Sequence, residues 1–282
     1  MNLLLSTTRL GLERGWIEFK QYLRNPQEMI WTVIMSGIFL AVIWFQRDTK
    51  IEGISLALLT LPSLLGMSIA NGGFVGAAGA LSYDREDGTL LRAKAIPQGM
   101  TAYLASRVVY VTLTTVLSIL VVLIPGLFLI DGLAGIGLDG VAVFVWIFLL
   151  GLLATAPWGA IVGSLVKSSG SGFGLTFLPM IGLVAISGIF YPITALAGWL
   201  QALAQVFPVY WLGLGARSVF LPDAAVAAEI GGSWRPIETT AMLVVWAVVG
   251  LLITPRILRR MAQRTSGSDM QARKEQMMQR GY

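Results

Sequence analysis

The chain contains no cysteine and no histidine. Without a thiolate or an imidazole it cannot build a disulfide, a cysteine nucleophile, a Ser-His-Asp triad or a zinc site of the usual ligands. Charge is scarce as well. Only 12% of the 282 residues are Asp, Glu, Lys or Arg, against roughly 25% in a typical soluble domain. A phosphate-binding loop is also missing. Its nearest approach, GSLVKSS, has Val166 where glycine is needed before Lys167 and Ser168, and it reads as the end of a span with a snorkelling lysine. The literal G-x-G-x-x-G at 135–140 follows an apolar run with no room for a βαβ unit, so it is no dinucleotide fingerprint. The sequence therefore predicts no catalytic residue, no metal and no cofactor in this chain.

What the chain has in abundance is apolar length. It is 56% hydrophobic, with mean hydropathy +0.75. Runs near twenty uncharged residues predict an all-α integral membrane protein with six transmembrane helices, at about 27–46, 54–81, 108–130, 141–166, 173–190 and 237–254. Apart from Glu28 and Glu238 at their edges, these spans hold no acidic or basic residue. A proton or ion relay at membrane depth has nothing to use.

Lysine and arginine set the orientation. With both termini cytoplasmic, only Arg47, Lys50, Arg217 and Arg235 of the 20 basic residues fall outside. The basic balance is thus topological and gives no sign of nucleic-acid binding. The start of the chain, MNLLLSTTRLGLERGW, does not read as a cleavable signal peptide. Instead Leu5, Leu12, Trp16, Phe19 and Leu23 fall within about 80° on a helical wheel, with Glu18 off that stripe. This predicts an amphipathic helix over 1–25 lying in the interface, or packed on a soluble partner, and ended by Asn25-Pro26.

The stretch SYDREDGTLLRAKAIPQGMTAYLASRV, residues 82–108, spends seven charges between two apolar spans. A short charged loop with Leu90, Leu91, Ala93 and Ile96 is suited to docking a partner. Asp84, Glu86 and Asp87 are expected in a helical first turn, where the dipole favours carboxylates. Pro97-Gln98-Gly99 is expected to turn. Outside, 193–206 is bounded by Pro192 and Pro208 and too short to span. It reads equally as a lid dipping into the outer leaflet or as an anchor held by Trp199. The glycines of IANGGFVGAAGALS (Gly72, Gly73, Gly76 and Gly79) read as close helix packing or as a route for an apolar substrate.

Two segments carry a resemblance. REDGTLLRAKAIPQGMTAYLASRV resembles the loop after the second span of ABC-2 type permeases through Glu86, Gly88, Thr89, Leu90, Arg92, Pro97, Tyr103 and Leu104. SGIFYPITALAGWLQALAQVFPVYWLGLGARSVFL resembles that family's fifth span and dipping segment through Ser187, Gly188, Phe190, Pro192, Trp199, Leu200, Pro208 and Arg217. Ala93-Lys94-Ala95 departs from the Leu-Arg-Ala-Thr of many members.

The resemblance implies a single ABC-2 transmembrane domain over 1–282, in the plasma membrane. It implies a coupling loop at 82–103, an extracytoplasmic loop at 191–236 and a basic cytoplasmic tail at 256–282. It further implies an ABC exporter subunit, similar to daunorubicin-type drug-efflux permeases, that pairs with an identical or homologous second permease, membrane lipids and cytoplasmic ATPase subunits that bind ATP and Mg. ATPase coupling would fall to Glu86, Asp87, Gly88, Thr89, Leu90 and Arg92, and connector contacts to Leu12, Trp16, Phe19 and Leu23. The substrate path is expected at Phe39, Phe177, Met180 and Phe190. The alternatives are a permease for polysaccharide or lipid-linked glycan, and a non-transport membrane scaffold.

Overall fold

The computed structural model describes residues 3–51, 54–130, 137–166 and 169–264. The side chains of Leu5 and Lys167, the start of the 135–140 glycine run and the tail beyond Arg264 lie outside the described residues.

Helix α1 (Leu3–Arg24) stops at Asn25, whose Oδ1 accepts the Gln27 N–H at 3.0 Å. Pro26 then occupies the first turn of α2 (Pro26–Gln46). Asparagine followed by proline is a strong helix start, because the side chain caps an orphan donor and the proline lacks one. The second span is one continuous path made of α3 (Leu56–Asn71), a π-helical turn at Gly72–Gly76 and α4 (Ala77–Glu86). A short helix α5 (Thr89–Ala95) leads into α6 (Gly99–Leu129), with the turn at Pro97–Gln98 between them. Next come α7 (Leu138–Leu165), α8 (Ser169–Ile186), α9 (Gly198–Val206), α10 (Pro208–Phe220) and α11 (Pro236–Arg264). Extended pairing among the described residues is limited to two residues a side, Lys50–Ile51 against Ile54–Ser55.

Among the described residues, five helical segments are long and apolar enough to cross a membrane, and α8 adds a shorter apolar stretch at Gly174–Ile186. The chain is an all-α integral membrane protein. Two boundaries differ from the hydropathy reading. The second span continues through the charged residues to Glu86, and the third begins at Gly99, before its apolar run. Both helices project past the apolar zone because their polar ends are hydrogen-bonded to neighbouring helices.

Sequence reading gave the 191–236 segment a single dipping helix. The structure has α9 there, with Trp199 and Leu203 exposed, and then α10, which is buried along nearly its whole length. Tyr210, Leu212, Leu214 and Phe220 of α10 sit at the centre of the main core, against α3, α7 and α11.

Candidate functional site

The charged end is built around the joint between α4 and α5. Asp84 and Glu86 lie in the last turn of α4, not in a first turn as expected, because no helix breaker comes before Gly88. Gly88 adopts φ 77°, ψ 8°, a left-handed conformation that other residues reach only at a cost. Beyond it, the Asp87 carboxylate accepts the Thr89 N–H and the Thr89 hydroxyl, each at 2.8 Å. Arg92 then donates to Thr89 Oγ1 at 2.8 Å and to the Asp87 carbonyl at 3.1 Å. Asp87, Gly88, Thr89 and Arg92 therefore form one compact hinge. Leu90 faces inward with Ala93 onto Leu81 and Tyr103, with Met100, Ala160 and Leu258 alongside. It anchors α5 and leaves exposed Tyr83 and Ile96 as the apolar surface at this end. Burial, and then the nearby Arg85 cation, lowers the pKa of Lys94.

An ion network ties this hinge to α1. The Tyr103 hydroxyl donates to Asp84 Oδ2 at 2.7 Å. Arg107 on α6 reaches Asp84 at 3.4 Å and also pairs with Glu18 of α1, which Arg14 holds at 2.8 Å. Helix α1 comes this close to α6 because Gly11 and Gly15 face it. A Cβ on Gly11 would stand 2.5 Å from the Ala102 carbonyl oxygen, and one on Gly15 2.7 Å from that of Ser106. Of the expected connector stripe, Leu12, Trp16 and Leu23 are exposed, while Phe19 is buried. Phe19 turns inward because it borders the face that docks on α6.

Arg85 makes a second tie. Its Nη1 donates to the carbonyls of Gly163, Ser164 and Val166 at 3.2, 2.8 and 3.0 Å. A guanidinium there satisfies the orphan carbonyls of α7 and complements its dipole. The charged end of the second span is thus fixed to α1, α5, α6 and α7 together. Sequence reading missed Glu18, Tyr103, Asp84, Arg85 and Arg107 as parts of one unit. The glycine pair of GLERG was the only local signal for the α1 contact.

A cavity of about 840 Å³ runs from this network into the span region between α2, the second span and α6. Polar groups, including Glu28, Asn71 and Thr114, line it alongside Trp31, Met35 and Phe39. The glycines of the second span divide into two roles. A side chain on Gly72 or Gly73 would collide with Thr115 or Thr155, whereas one on Gly76 or Gly79 would meet open space. Gly76 and Gly79 line the cavity, as does Gly72 beside Thr115. Of the expected substrate-path residues, only Phe39 lines the cavity. Met180, 4% exposed, belongs to the main core, Phe190 packs against that core, and Phe177 lies on α8 away from the cavity lining. Methionine and phenylalanine suit a core as well as a ligand site, so residue type alone did not separate them.

At the opposite end, Arg217 of α10 is 2% exposed. It pairs with Glu229 through two nitrogens, one at 3.2 Å, and its Nη1 donates to Ser63 of α3 at 2.8 Å and to the Gly188 carbonyl at 3.3 Å. Three groups from separate segments meet at one guanidinium. This arrangement keeps a charged helix buried.

A polytopic helical bundle with a docked amphipathic helix, a hinged charged loop and a lateral cavity is the architecture of a membrane transport component. Residues 15–221 match the family model of the ABC-2 type transporter, and the chain belongs to that family. It is a permease subunit of an ABC transporter, a class that works with an ABC ATPase partner. No curated protein matches the chain.

Proposed function

We propose that this permease carries an amphiphilic compound, drug or lipid-like, outward across the plasma membrane, with both termini and the α4–α5 hinge on the cytoplasmic side. A cytoplasmic ATPase binds ATP and Mg, closes, and pushes on α5. Gly88 lets α5 tilt as a unit. The Asp84–Arg107–Glu18 network and the Arg85 clamp pass that movement to α1, α6 and α7. A second permease, identical or homologous, would complete the route, with membrane lipids around the exposed helices.

The observation that carries the substrate side of this reading is the cavity. It joins a polar, charged mouth to an apolar interior lined by Met35, Phe39, Met67 and Val122. That is the division of an amphiphile.

Gly79→Leu provides the test. The site is open space, and leucine is a better helix former than glycine, so the variant should insert and retain its thermal stability. Transport of a fluorescent amphiphile by proteoliposomes holding the permease with its ATPase should fall severalfold. Unchanged amphiphile transport would remove the cavity from the route. ATP-driven release of a hydrophilic glycan instead would favour the glycan reading.

A further inference from the structure

We infer that Ser36 and Asn71 are specificity-determining residues of the cavity, and that they select amphiphiles whose apolar body carries a neutral group able both to donate and to accept a hydrogen bond, such as a secondary amide. The inference rests on the reading of the cavity as the substrate route.

Both residues sit deep in the bundle. Ser36 is the middle residue of α2 (Pro26–Gln46), and Asn71 is the middle residue of the continuous path Leu56–Glu86. They belong to one layer. The Tyr22 hydroxyl shares a hydrogen bond with Thr32, and its ring stands edge to face with Tyr110. One helical turn further along α2 and α6 come Ser36 and Thr114. Gly72 packs on Thr115, which brings Asn71 to the same level. All of these residues line the cavity. The charged lining residue of α2, Glu28, is eight residues back, or ~12 Å along the helix axis.

The hydroxyls around them are already committed. Thr32, Ser68, Thr114, Thr115 and Ser118 each donate to the carbonyl four residues earlier in the same helix, so they keep only lone pairs for the cavity. Among the described residues, the Ser36 hydroxyl and the Asn71 carboxamide have no hydrogen-bond partner. Ser36 is only 6% exposed. A buried polar group without a partner is costly, and two of them face the same cavity between Met35, Phe39 and Met67. Apolar walls with a few convergent polar groups are how a pocket orients its ligand. The layer offers the donors of Ser36 and Asn71 beside several acceptors. A group that donates and accepts satisfies both. A plain alkyl tail leaves both unpaired, and a charged group would lose its hydration with no counter-charge at this level. Asn71 also directly precedes the π-helical turn at Gly72–Gly76, a feature frequent at functional sites.

The experiment is photo-crosslinking of the full chain in lipid nanodiscs. Two probes share an uncharged polyol headgroup, one tail length and one diazirine position. They differ at mid-tail, where one has a secondary amide and the other methylenes. Labelled residues are read by mass spectrometry, and each probe is compared between wild type and variants, so that bilayer partition cancels. Ser36→Ala and Asn71→Leu should each cut amide-probe labelling of Met35, Phe39 and Met67 roughly tenfold. Labelling by the methylene probe should stay the same or rise, which also shows that the cavity is intact in each variant. Both substitutions remove groups without a protein partner, so Tm should hold. Amide-probe labelling unchanged in the double variant would overturn the inference and assign the two groups to bound water, with the route left standing. An equal fall for both probes would also overturn it, making the residues structural. Absence of cavity labelling by either probe, in a complex that still exports amphiphile, would instead remove the route itself.

Discussion

Arg107 of α6 lies 3.4 Å from the carboxylate of Asp84, in the last turn of the second span, and the same guanidinium pairs with Glu18 on α1. One side chain thereby joins three segments that are far apart in sequence. Arg107→Ala would leave Asp84, 4% exposed, without its cation. We expect a loss of about 1–3 kcal/mol, read as a lower Tm of the detergent-solubilised protein. Asp84→Asn in the same background should recover part of it.

Glu18 and Trp16 give a paired test of which face of α1 is docked. Glu18→Lys would set a third cation beside Arg14 and Arg107 and should lower Tm and detach α1. Trp16→Glu alters an exposed position and should mainly weaken membrane association. The stripe of apolar residues taken alone would predict the reverse order. Limited proteolysis of α1 in both variants checks this.

Gly15→Val should destabilise by about 1–3 kcal/mol, because its Cβ would meet the Ser106 carbonyl and Val109. Leu10→Ala, on an exposed part of the same helix, should be near neutral. Equal Tm values for the two would argue against the glycine-mediated contact.

At the hinge, Gly88→Ala must hold an alanine at φ 77°, at a cost of roughly 1–2 kcal/mol. The expected outcome is normal membrane insertion with reduced substrate-stimulated ATP hydrolysis by the assembled complex. Asp87→Ala, which removes both bonds to Thr89, should move the same readout in the same direction. Stimulation equal to wild type in both would place coupling elsewhere.

Arg217→Ala would strand Glu229 in the core and should cost about 3–5 kcal/mol. Arg217→Lys keeps the charge but loses the forked geometry, so its loss should be smaller. Thermal unfolding of the three proteins checks the ranking.

The class of the protein was legible in its sequence for a simple reason. Uncharged runs near twenty residues have few stable settings other than a bilayer. Helix α2 begins at Pro26 and the turn falls at Pro97–Gln98, where proline leaves the backbone few choices. The 85–108 and 187–221 stretches carried the family resemblance through the type and order of their residues. Bounds set by hydropathy were less secure. Asp84 and Arg107 look like loop residues until their partners across the structure are known.

Local sequence determined the apolar spans, the capped start of α2 and the left-handed hinge at Gly88, since each depends on neighbours within a few positions. Only the tertiary structure decided that Phe19 turns inward, that Met180 is core while Phe39 lines a cavity, and that Gly72 touches Thr115 while Gly79 faces open space. It also decided the burial of α10. Thirteen residues bearing Arg217 are poor material for a membrane interior until Glu229, Ser63 and Gly188 converge on that charge. Such convergence joins side chains many residues apart, and no local pattern encodes it.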